Sequence, residues 1–155
     1  SSETHDSAPA HVCSRADKFL QKYRLDLEGM DQIWLLMDVD RWGSRNLAQA
    51  HQHARERGYQ LAISNPSFEI WLLFHLSTDV SGIRNCSDCE ERIRQILGSY
   101  NKSNLDIRPY TDDSIRDAIS RARETCPNPS AWPITTGTCV YLLMEQILPS
   151  RRVYA

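Results

Sequence analysis

The stretch IWLLMDVD, at residues 33–40, is an unbroken apolar run that ends in two acidic residues. A short run of this kind is typical of a strand buried in a parallel sheet. Residues 60–64 (QLAIS) predict a second strand, and apolar residues at helical spacing predict a helix from about Arg45 to Arg57 between the two. Strand, helix and strand with short connections predict a βαβ unit, so we expect the two strands to be parallel and adjacent or nearby.

Helical spacing of apolar residues also predicts helices on both sides of this unit. The proline-rich residues 127–137 predict a loop. The expected helices cover about residues 9–23, 68–76, 87–100, 112–125 and 138–148. The predicted fold class is therefore α/β, a parallel sheet with flanking helices that is followed by a helical C-terminal part. We place the α/β core in residues 1–80 and the helical extension, packed on that core, in residues 81–155.

The predicted sheet is short of strands. Two strands do not make a stable sheet, yet the first is too apolar for an unpaired edge. Either a strand within the chain escapes detection, or part of the sheet lies outside these 155 residues, since residues 1–8 are too polar to supply it. We favour the second explanation and expect the core to be incomplete at its N-terminus.

Composition indicates an ordinary globular chain. The longest apolar run, residues 70–76, is far shorter than the roughly 20 residues of a membrane span, and the polar first residues do not resemble a secretory signal. The formal net charge of −2 supplies no global attraction for nucleic acid, so a local patch, a metal or another subunit would have to meet such a partner. The odd count of five cysteines argues against a disulfide framework, and we expect a cytoplasmic chain with reduced thiols.

Asp38 and Asp40 follow the first apolar strand directly. In an extended chain these two carboxylates point the same way, at the strand end where open α/β sheets bind ligands. Mg²⁺ suits such a pair because it takes one or two carboxylates and leaves phosphate oxygens to complete its shell. Without a metal we expect mutual repulsion to spread the carboxylates or to raise at least one pKa. The alternative is a solvated turn in which an aspartate caps the next helix.

Glu69 is the one carboxylate in the stretch SNPSFEIWLLFH, at residues 64–75, which follows the second strand. It lies in the first turn of a predicted helix, where an acid is stabilised by the helix dipole. Simple capping is one interpretation. The other is that Glu69 converges with Asp38 and Asp40 as a third carboxylate.

Together these segments resemble the RloB-like proteins, relatives of the TOPRIM fold of topoisomerases, primases and OLD-type nucleases. The family pattern is an apolar strand ending in Asp-x-Asp, a helix, a strand and then Ser-Asn-Pro-x-Phe-Glu-x-Trp-Leu-Leu-x-His. The matching residues of the last motif are Ser64, Asn65, Pro66, Phe68, Glu69, Trp71, Leu72, Leu73 and His75. The resemblance continues more weakly through residues 100–102, the helix after Thr111 and residues 128–130, so it covers nearly the whole chain.

The resemblance implies a TOPRIM-like, Rossmannoid fold and a nuclease that uses Mg²⁺ or Mn²⁺ in bacterial antiphage defence. Asp38, Asp40 and Glu69 would be the catalytic and metal-binding residues, and Arg41, Lys102 and His75 would contact phosphate. The substrate would be DNA or RNA, which the sequence does not distinguish. Some TOPRIM relatives cut tRNA, so tRNA is one candidate. An AAA-type ATPase is the implied protein partner; a homo-oligomer stays open, and no membrane partner is expected.

One part of the TOPRIM signature has no match here. It is a Glu-Gly pair at the end of a first strand, whereas Glu28-Gly29 follows a predicted helix, so we assign Glu28 no role. We expect the first strand and its glutamate to be absent from this chain. That absence favours an alternative function, a non-catalytic TOPRIM-like subunit that binds an ATPase partner or senses nucleotides. The intact acidic motifs oppose the alternative.

Several other residues have a structural and a functional interpretation. Cys86 and Cys89 form a Cys-x-x-Cys pair without a second closely spaced Cys or His pair, so we expect free thiols facing the core and no zinc. His75 is either a phosphate or metal contact or a satisfied, half-buried histidine. Lys102 is either a phosphate contact or a solvated loop lysine. Trp71 is expected in the core.

Overall fold

The computed structural model describes residues 9–128 and 131–148 of the chain. These residues form a mixed α/β fold with six helices and a three-stranded sheet. In chain order the elements are α1 (Pro9–Tyr23), β1 (Trp34–Asp38), α2 (Val39–Arg57), β2 (Gln60–Asn65), α3 (Glu69–Phe74), α4 (Cys86–Leu97), α5 (Asp112–Thr125), β3 (Gly137–Thr138) and α6 (Tyr141–Ile147).

Strands β1 and β2 pair in parallel, which confirms the prediction from their apolar runs. Trp34 lies opposite Gln60, and Asp38 lies opposite Ser64 at the carboxyl ends of the two strands. Helix α2 connects the strands, so the βαβ unit has the element order that the sequence predicts. The acidic end of β1 and the start of the SNPSFE motif therefore meet at one edge of the sheet.

The sheet has a third strand, β3, that was not predicted from the sequence. It pairs antiparallel with the end of β2, with Ser64 opposite Thr138 and Asn65 opposite Gly137. We attributed the missing sheet partner to residues outside the chain, but one strand within the chain had escaped detection. A two-residue strand is too short to show alternation. The helix expected from Thr138 accordingly begins later, at Tyr141.

Strand β1 lies at an edge of the sheet formed by the described residues, contrary to our expectation for so apolar a run. Leu35 and Met37 are buried in the core that includes α1 and α2. Leu36 points to the other face, as alternation requires, and is 43% exposed. Burial of one face explains most of the apolar character of β1 and leaves Leu36 unexplained.

Two hydrophobic cores lie on opposite faces of the sheet, because successive residues of β2 point to opposite sides. Ala62 faces the core built from α3, α4, α5 and α6. Ile63 faces the core built from α1, α2 and β1. Helices α4 and α5 both pack against α3, so residues on either side of position 80 share one core.

Helices α1 and α5 have the bounds that the sequence predicts, whereas α4 begins one residue before its predicted start and ends at Leu97, three residues early, where Gly98 forms the C-cap. Asn85 caps α4 by accepting a hydrogen bond from the Asp88 amide at 2.9 Å. Helix α2 differs, because it begins at Val39 rather than near Arg45 and contains the non-helical residue Gly43. Among the described residues, no helix combines the length and the hydropathy that a bilayer span requires.

The cysteines differ from the expectation of reduced thiols throughout. Cys126 and Cys139 form a disulfide with their Cα atoms 5.8 Å apart, so that expectation is wrong for this pair. Cys13, Cys86 and Cys89 are free. Cys89 is fully buried, as predicted, whereas Cys86 is only half-buried and faces acidic side chains rather than the core.

Candidate functional site

The acidic pair after β1 does not have the geometry that we predicted. Asp38 ends the strand with an extended backbone (φ −107°, ψ 130°), but α2 begins at the next residue, so Asp40 lies in a first helical turn. Strand alternation therefore does not align the two carboxylates. Asp38 is half-buried and Asp40 is exposed.

Two hydrogen bonds join this turn to the motif that follows β2. The backbone amide of Phe68 donates to Asp38 Oδ1 at 2.9 Å. The backbone amide of Asp40 donates to the carbonyl oxygen of Pro66 at 3.0 Å. Each of the two acidic segments thus holds the other in place, at the carboxyl ends of adjacent parallel strands.

The first residues of the motif anchor it to the C-terminal part of the chain. The hydroxyls of Ser64 and Thr138 lie 2.7 Å apart in the interior. The side-chain amide of Asn65 donates to the carbonyl oxygens of Pro133 and Ile134, both at 3.0 Å. Trp71 is 4% exposed and lies in the core, as predicted. These residues position Glu69 and do not themselves form a surface for a ligand.

Glu69 is a buried carboxylate, with 5% of its surface exposed. Its Oε2 accepts from Cys86 Sγ at 3.4 Å, its Oε1 accepts from the Tyr100 hydroxyl at 3.4 Å, and Lys102 Nζ lies 3.8 Å from Oε1. Burial raises the pKa of Glu69, but the nearby Ser67 and Cys86 side chains, its own backbone amide and the Lys102 charge together lower that pKa below its ordinary value. Glu69 is therefore held as a carboxylate inside the protein.

Asp38 has the opposite shift, a raised pKa, although burial rather than the expected repulsion is its largest cause. Burial raises the pKa of Asp38 most, and the charge of Glu69 raises it further. The Phe68 amide and the charges of Lys102 and Arg41 lower it by less. Asp38 and Glu69 thus lie close enough to repel each other, and a cation between them would relieve that repulsion.

Cys86, at the start of α4, lies between the acids of the two segments. Its backbone amide donates to Asp40 Oδ2 at 3.3 Å, and its thiol contacts Glu69. Burial and the neighbouring carboxylates raise the pKa of the Cys86 thiol to about 11, although Ser67 opposes the shift. Helical spacing along α4 alone predicted that Cys86 faces the core. That prediction is wrong because the Cys86 thiol contacts Glu69, an acid from α3.

Among the described residues, Glu69, Cys86 and Glu90 bring three potential metal-ligand atoms within 4.8 Å of one another. Asp38 and Asp40 lie outside this group. Glu90 was not among the predicted ligands, although its spacing is a signal: it follows Cys86 by four residues, so the two share one helix face. The predicted trio of Asp38, Asp40 and Glu69 is instead linked through Cys86 and Phe68.

Two of the three predicted phosphate contacts, Lys102 and Arg41, are exposed cations near the acidic residues. Lys102 is 67% exposed in its side chain, and its Nζ lies 3.8 Å from both Glu69 and Glu90. The Arg41 guanidinium lies 4.9 Å from the centre of the Trp42 ring, and Arg41 is exposed. Both cations act on the pKa of Asp38, so the structure brings them near the acidic residues.

His75 is not part of this group. It follows α3, six residues and about 9 Å along the helix axis from Glu69, and it is 8% exposed. Its Nδ1 lies 2.8 Å from the carbonyl oxygen of Trp71, and its ring meets Trp71 and Tyr110 edge-on at 4.8 and 4.9 Å. Burial lowers the pKa of His75. These contacts agree with the satisfied-histidine interpretation.

Glu28, to which we assigned no role, lies exposed in the turn after α1 and follows no strand. The comparisons with known proteins add one finding to this geometry. The family described as RloB-like protein matches residues 1–147. No curated protein and no solved structure matches the chain. Because the match covers nearly the full sequence, including both acidic segments and the helices behind them, this chain belongs to the RloB-like protein family.

Proposed function

We propose that this chain is a Mg²⁺- or Mn²⁺-dependent nuclease with a TOPRIM-like core, which hydrolyses phosphodiester bonds of DNA or RNA. The proposal places it in the bacterial cytoplasm, as an antiphage effector with an AAA-type ATPase partner. The observation that supports the nuclease most is the link between the two acidic segments. The Phe68 amide holds Asp38 at 2.9 Å, beside the buried carboxylate of Glu69.

The donor set fits a hard cation. Asp38, Asp40 and Glu69 offer carboxylate oxygens, the ligand type that Mg²⁺ and Mn²⁺ prefer. The hydrogen bonds described for Asp38 and Asp40 engage one oxygen of each carboxylate. When bound, such an ion activates water and offsets charge on the leaving oxygen. Asp38 and Asp40 would hold it, and Glu69 would be a ligand or would orient one.

Hydrogen bonds within the chain hold the carboxylates of the site in fixed positions without an ion. The Phe68 amide fixes the rotamer of Asp38, and the Tyr100 hydroxyl and Cys86 thiol hold the two oxygens of Glu69. Ordered carboxylates lose little conformational entropy on binding. Burial of Glu69 excludes water from its side of the site.

Phosphate attraction has to be local, because the chain carries a formal net charge of −2. Lys102 and Arg41 are the cations that act on the acidic residues, and both are exposed. In our proposal they contact the phosphate on either side of the scissile bond. Lys102 would exchange its carboxylate partners for a phosphate oxygen, which its exposure permits.

The first experiment measures cleavage by the full-length protein with Mg²⁺ or Mn²⁺, on single-stranded DNA, duplex DNA and tRNA. Asp38→Asn and Asp40→Asn each keep shape and delete charge, so we expect cleavage to fall about 100-fold or more. Glu69→Gln should lower it less if Glu69 only orients a ligand. Asp117→Asn, an exposed carboxylate change on α5, is the matched control and should cleave as the unaltered protein does.

Circular dichroism melts of the same variants separate lost chemistry from lost folding. If the two Asn variants melt and cleave normally, the catalytic assignment fails. The non-catalytic subunit then becomes the better proposal. Exposed aromatic residues on α1 favour it, since Phe19 and Tyr23 are 52% and 54% exposed with their ring centres 4.5 Å apart, and they offer a surface for an ATPase partner.

A further inference from the structure

The thiol of Cys86 lies between two carboxylates from different helices. Its Sγ is 3.4 Å from Glu69 Oε2 and 3.6 Å from Glu90 Oε1. Glu69 is on α3, whereas Cys86 and Glu90 are one turn apart on α4. A thiol has a single proton, so it cannot donate to both acids at once.

These separations match the edges of a tetrahedral metal site. With bonds of about 2.3 Å to sulfur and about 2.0 Å to oxygen, sulfur and oxygen ligands of one Zn²⁺ lie about 3.5 Å apart. The two measured separations of Cys86 Sγ lie on either side of that value. All three potential ligand atoms already lie within 4.8 Å of one another, so a short approach of the two carboxylates would complete the triangle.

The buried hydroxyl of Ser67 lies beside the same group of residues. Ser67 is 1% exposed, and its Oγ has no hydrogen-bond partner of acceptable geometry among the described residues. Nevertheless it lies near enough to Glu69 and Cys86 to lower the pKa of both. A buried hydroxyl without a partner costs free energy, and a ligand held beside these two residues would give it one.

Positive side chains now offset the charge of the two acids. Lys102 Nζ lies 3.8 Å from an oxygen of Glu69 and of Glu90, and Arg94 Nη2 lies 3.6 Å from Glu90 Oε2. These separations are long for ion pairs, and Lys102 is 67% exposed in its side chain. Because the Lys102 side chain is exposed and its contacts with the two carboxylates are long, both contacts are weak on its side, so a divalent ion can displace the Lys102 ammonium.

We infer that Glu69, Cys86 and Glu90 form a thiolate–carboxylate site for Zn²⁺, which shares Glu69 with the hard-cation site proposed at Asp38 and Asp40 but differs from it in its other ligands. A thiolate selects Zn²⁺ over Mg²⁺ because sulfur is a soft ligand. On binding, Cys86 Sγ loses its proton to solvent and the sulfur–zinc bond replaces the S–H bond. The inference goes beyond the proposed nuclease and does not rest on it.

Titration of the full chain with Co²⁺, a spectroscopic substitute for Zn²⁺, tests this site under reducing conditions. We expect a thiolate-to-cobalt charge-transfer band that reaches its limit at one equivalent and disappears when Zn²⁺ is added. Cys86→Ser should abolish the band. Cys89→Ala, which alters the buried free thiol of the same helix, should retain it.

Calorimetric Zn²⁺ titrations test the carboxylates with a matched pair. Glu90→Gln should weaken binding about 10-fold to 100-fold, whereas Glu91→Gln, the exposed neighbour, should not change it. Lys102→Met should tighten binding a few-fold, since it removes the competing ammonium.

Two results would overturn the inference: a cobalt band that survives Cys86→Ser, and equal affinities of the Glu90→Gln and Glu91→Gln proteins for Zn²⁺. A band that survives Cys86→Ser and is lost in Asp38→Asn would put the ion at the Asp-x-Asp segment. Because cleavage is not a readout here, failure of this site leaves the nuclease proposal standing, and failure of the nuclease leaves this site standing.

Discussion

At the scale of single residues, Tyr59 joins the start of β2 to α1 through one buried hydroxyl. Tyr59 is 4% exposed, and its hydroxyl donates to Asp17 Oδ1 at 2.5 Å. Arg57 lies 2.7 Å from the other oxygen of Asp17. Burial and the hydrogen bond with Asp17 raise the pKa of Tyr59 to about 12. The folded chain therefore holds Tyr59 neutral more strongly than the unfolded chain does.

The first prediction concerns alkaline pH. A raised folded-state pKa stabilises the protein fully below the unfolded pKa of about 10, and that stabilisation is lost as pH rises through about 12. We expect Tyr59 to account for about 2–3 kcal/mol of the fall in unfolding free energy over this interval. Urea denaturation from pH 8 to pH 12 measures the fall, and Tyr59→Phe should reduce it. An equal fall in the Tyr59→Phe protein would contradict the assignment.

At the scale of elements, α2 depends on two glycines with different backbone requirements. Gly43 has φ 73° and ψ 161°, and Gly58 at the C-cap has φ 77° and ψ 20°. The Gly43 conformation is open essentially to glycine alone, whereas asparagine tolerates the left-handed conformation of Gly58. Gly43 therefore separates a first helical turn, which contains Asp40, from the rest of α2. Its backbone conformation determines where Asp40 lies relative to the main helix.

The second prediction compares the two glycines directly. Gly43→Asn should lower the free energy of unfolding by about 1–3 kcal/mol. Gly58→Asn should lower it by only about a few tenths of a kcal/mol, because asparagine is accepted at this cap position. No atom lies within 4 Å of a Cβ built at Gly43, so the expected cost is backbone strain and not a clash. Chemical denaturation of both variants measures the difference. Equal losses would mean that the backbone at Gly43 relaxes.

At the scale of the whole molecule, the fold has two cores separated by a narrow sheet, and the C-terminal part is tied to the sheet at few points. Strand β3 supplies two paired residues. The Cys126–Cys139 disulfide links the end of α5 to the residue after β3. Because Thr138 also contacts Ser64, this link supports the segment that carries Glu69.

The third prediction is that reduction of this disulfide loosens the C-terminal part. The disulfide closes a loop with a sequence separation of 13 residues and so constrains the unfolded chain. This constraint raises the free energy of unfolding by about 3 kcal/mol. We expect reducing agent to lower the midpoint of unfolding in the natural protein and to leave that of a Cys126→Ala/Cys139→Ala variant unchanged. Thiol labelling of unfolded, unreduced protein should detect three thiols, and detection of all five would contradict the pairing.

Much of the fold could be predicted because its signals are local. Helix α5 was predicted at its observed bounds, Asp112–Thr125, from apolar periodicity over four turns. The parallel pairing of β1 and β2 followed from two apolar runs around one helix. Strand β3 could not be predicted, because its two residues owe their pairing to β2 and not to their own pattern. The TOPRIM-like arrangement of the core stays a prediction.

The sequence by itself determined the family: Asp38, Asp40 and Glu69 lie at or after apolar strands in motifs typical of RloB-like proteins, and the family match confirms that membership. The catalytic role of these residues stays a prediction. Only the tertiary structure decided how these residues meet. Asp40 lies in a helical turn rather than a strand, and Cys86 faces acids rather than the core. The physical reason is distance along the chain: periodicity reports which face of an element is apolar, but the side chain opposite Cys86 comes from another helix, 17 residues away.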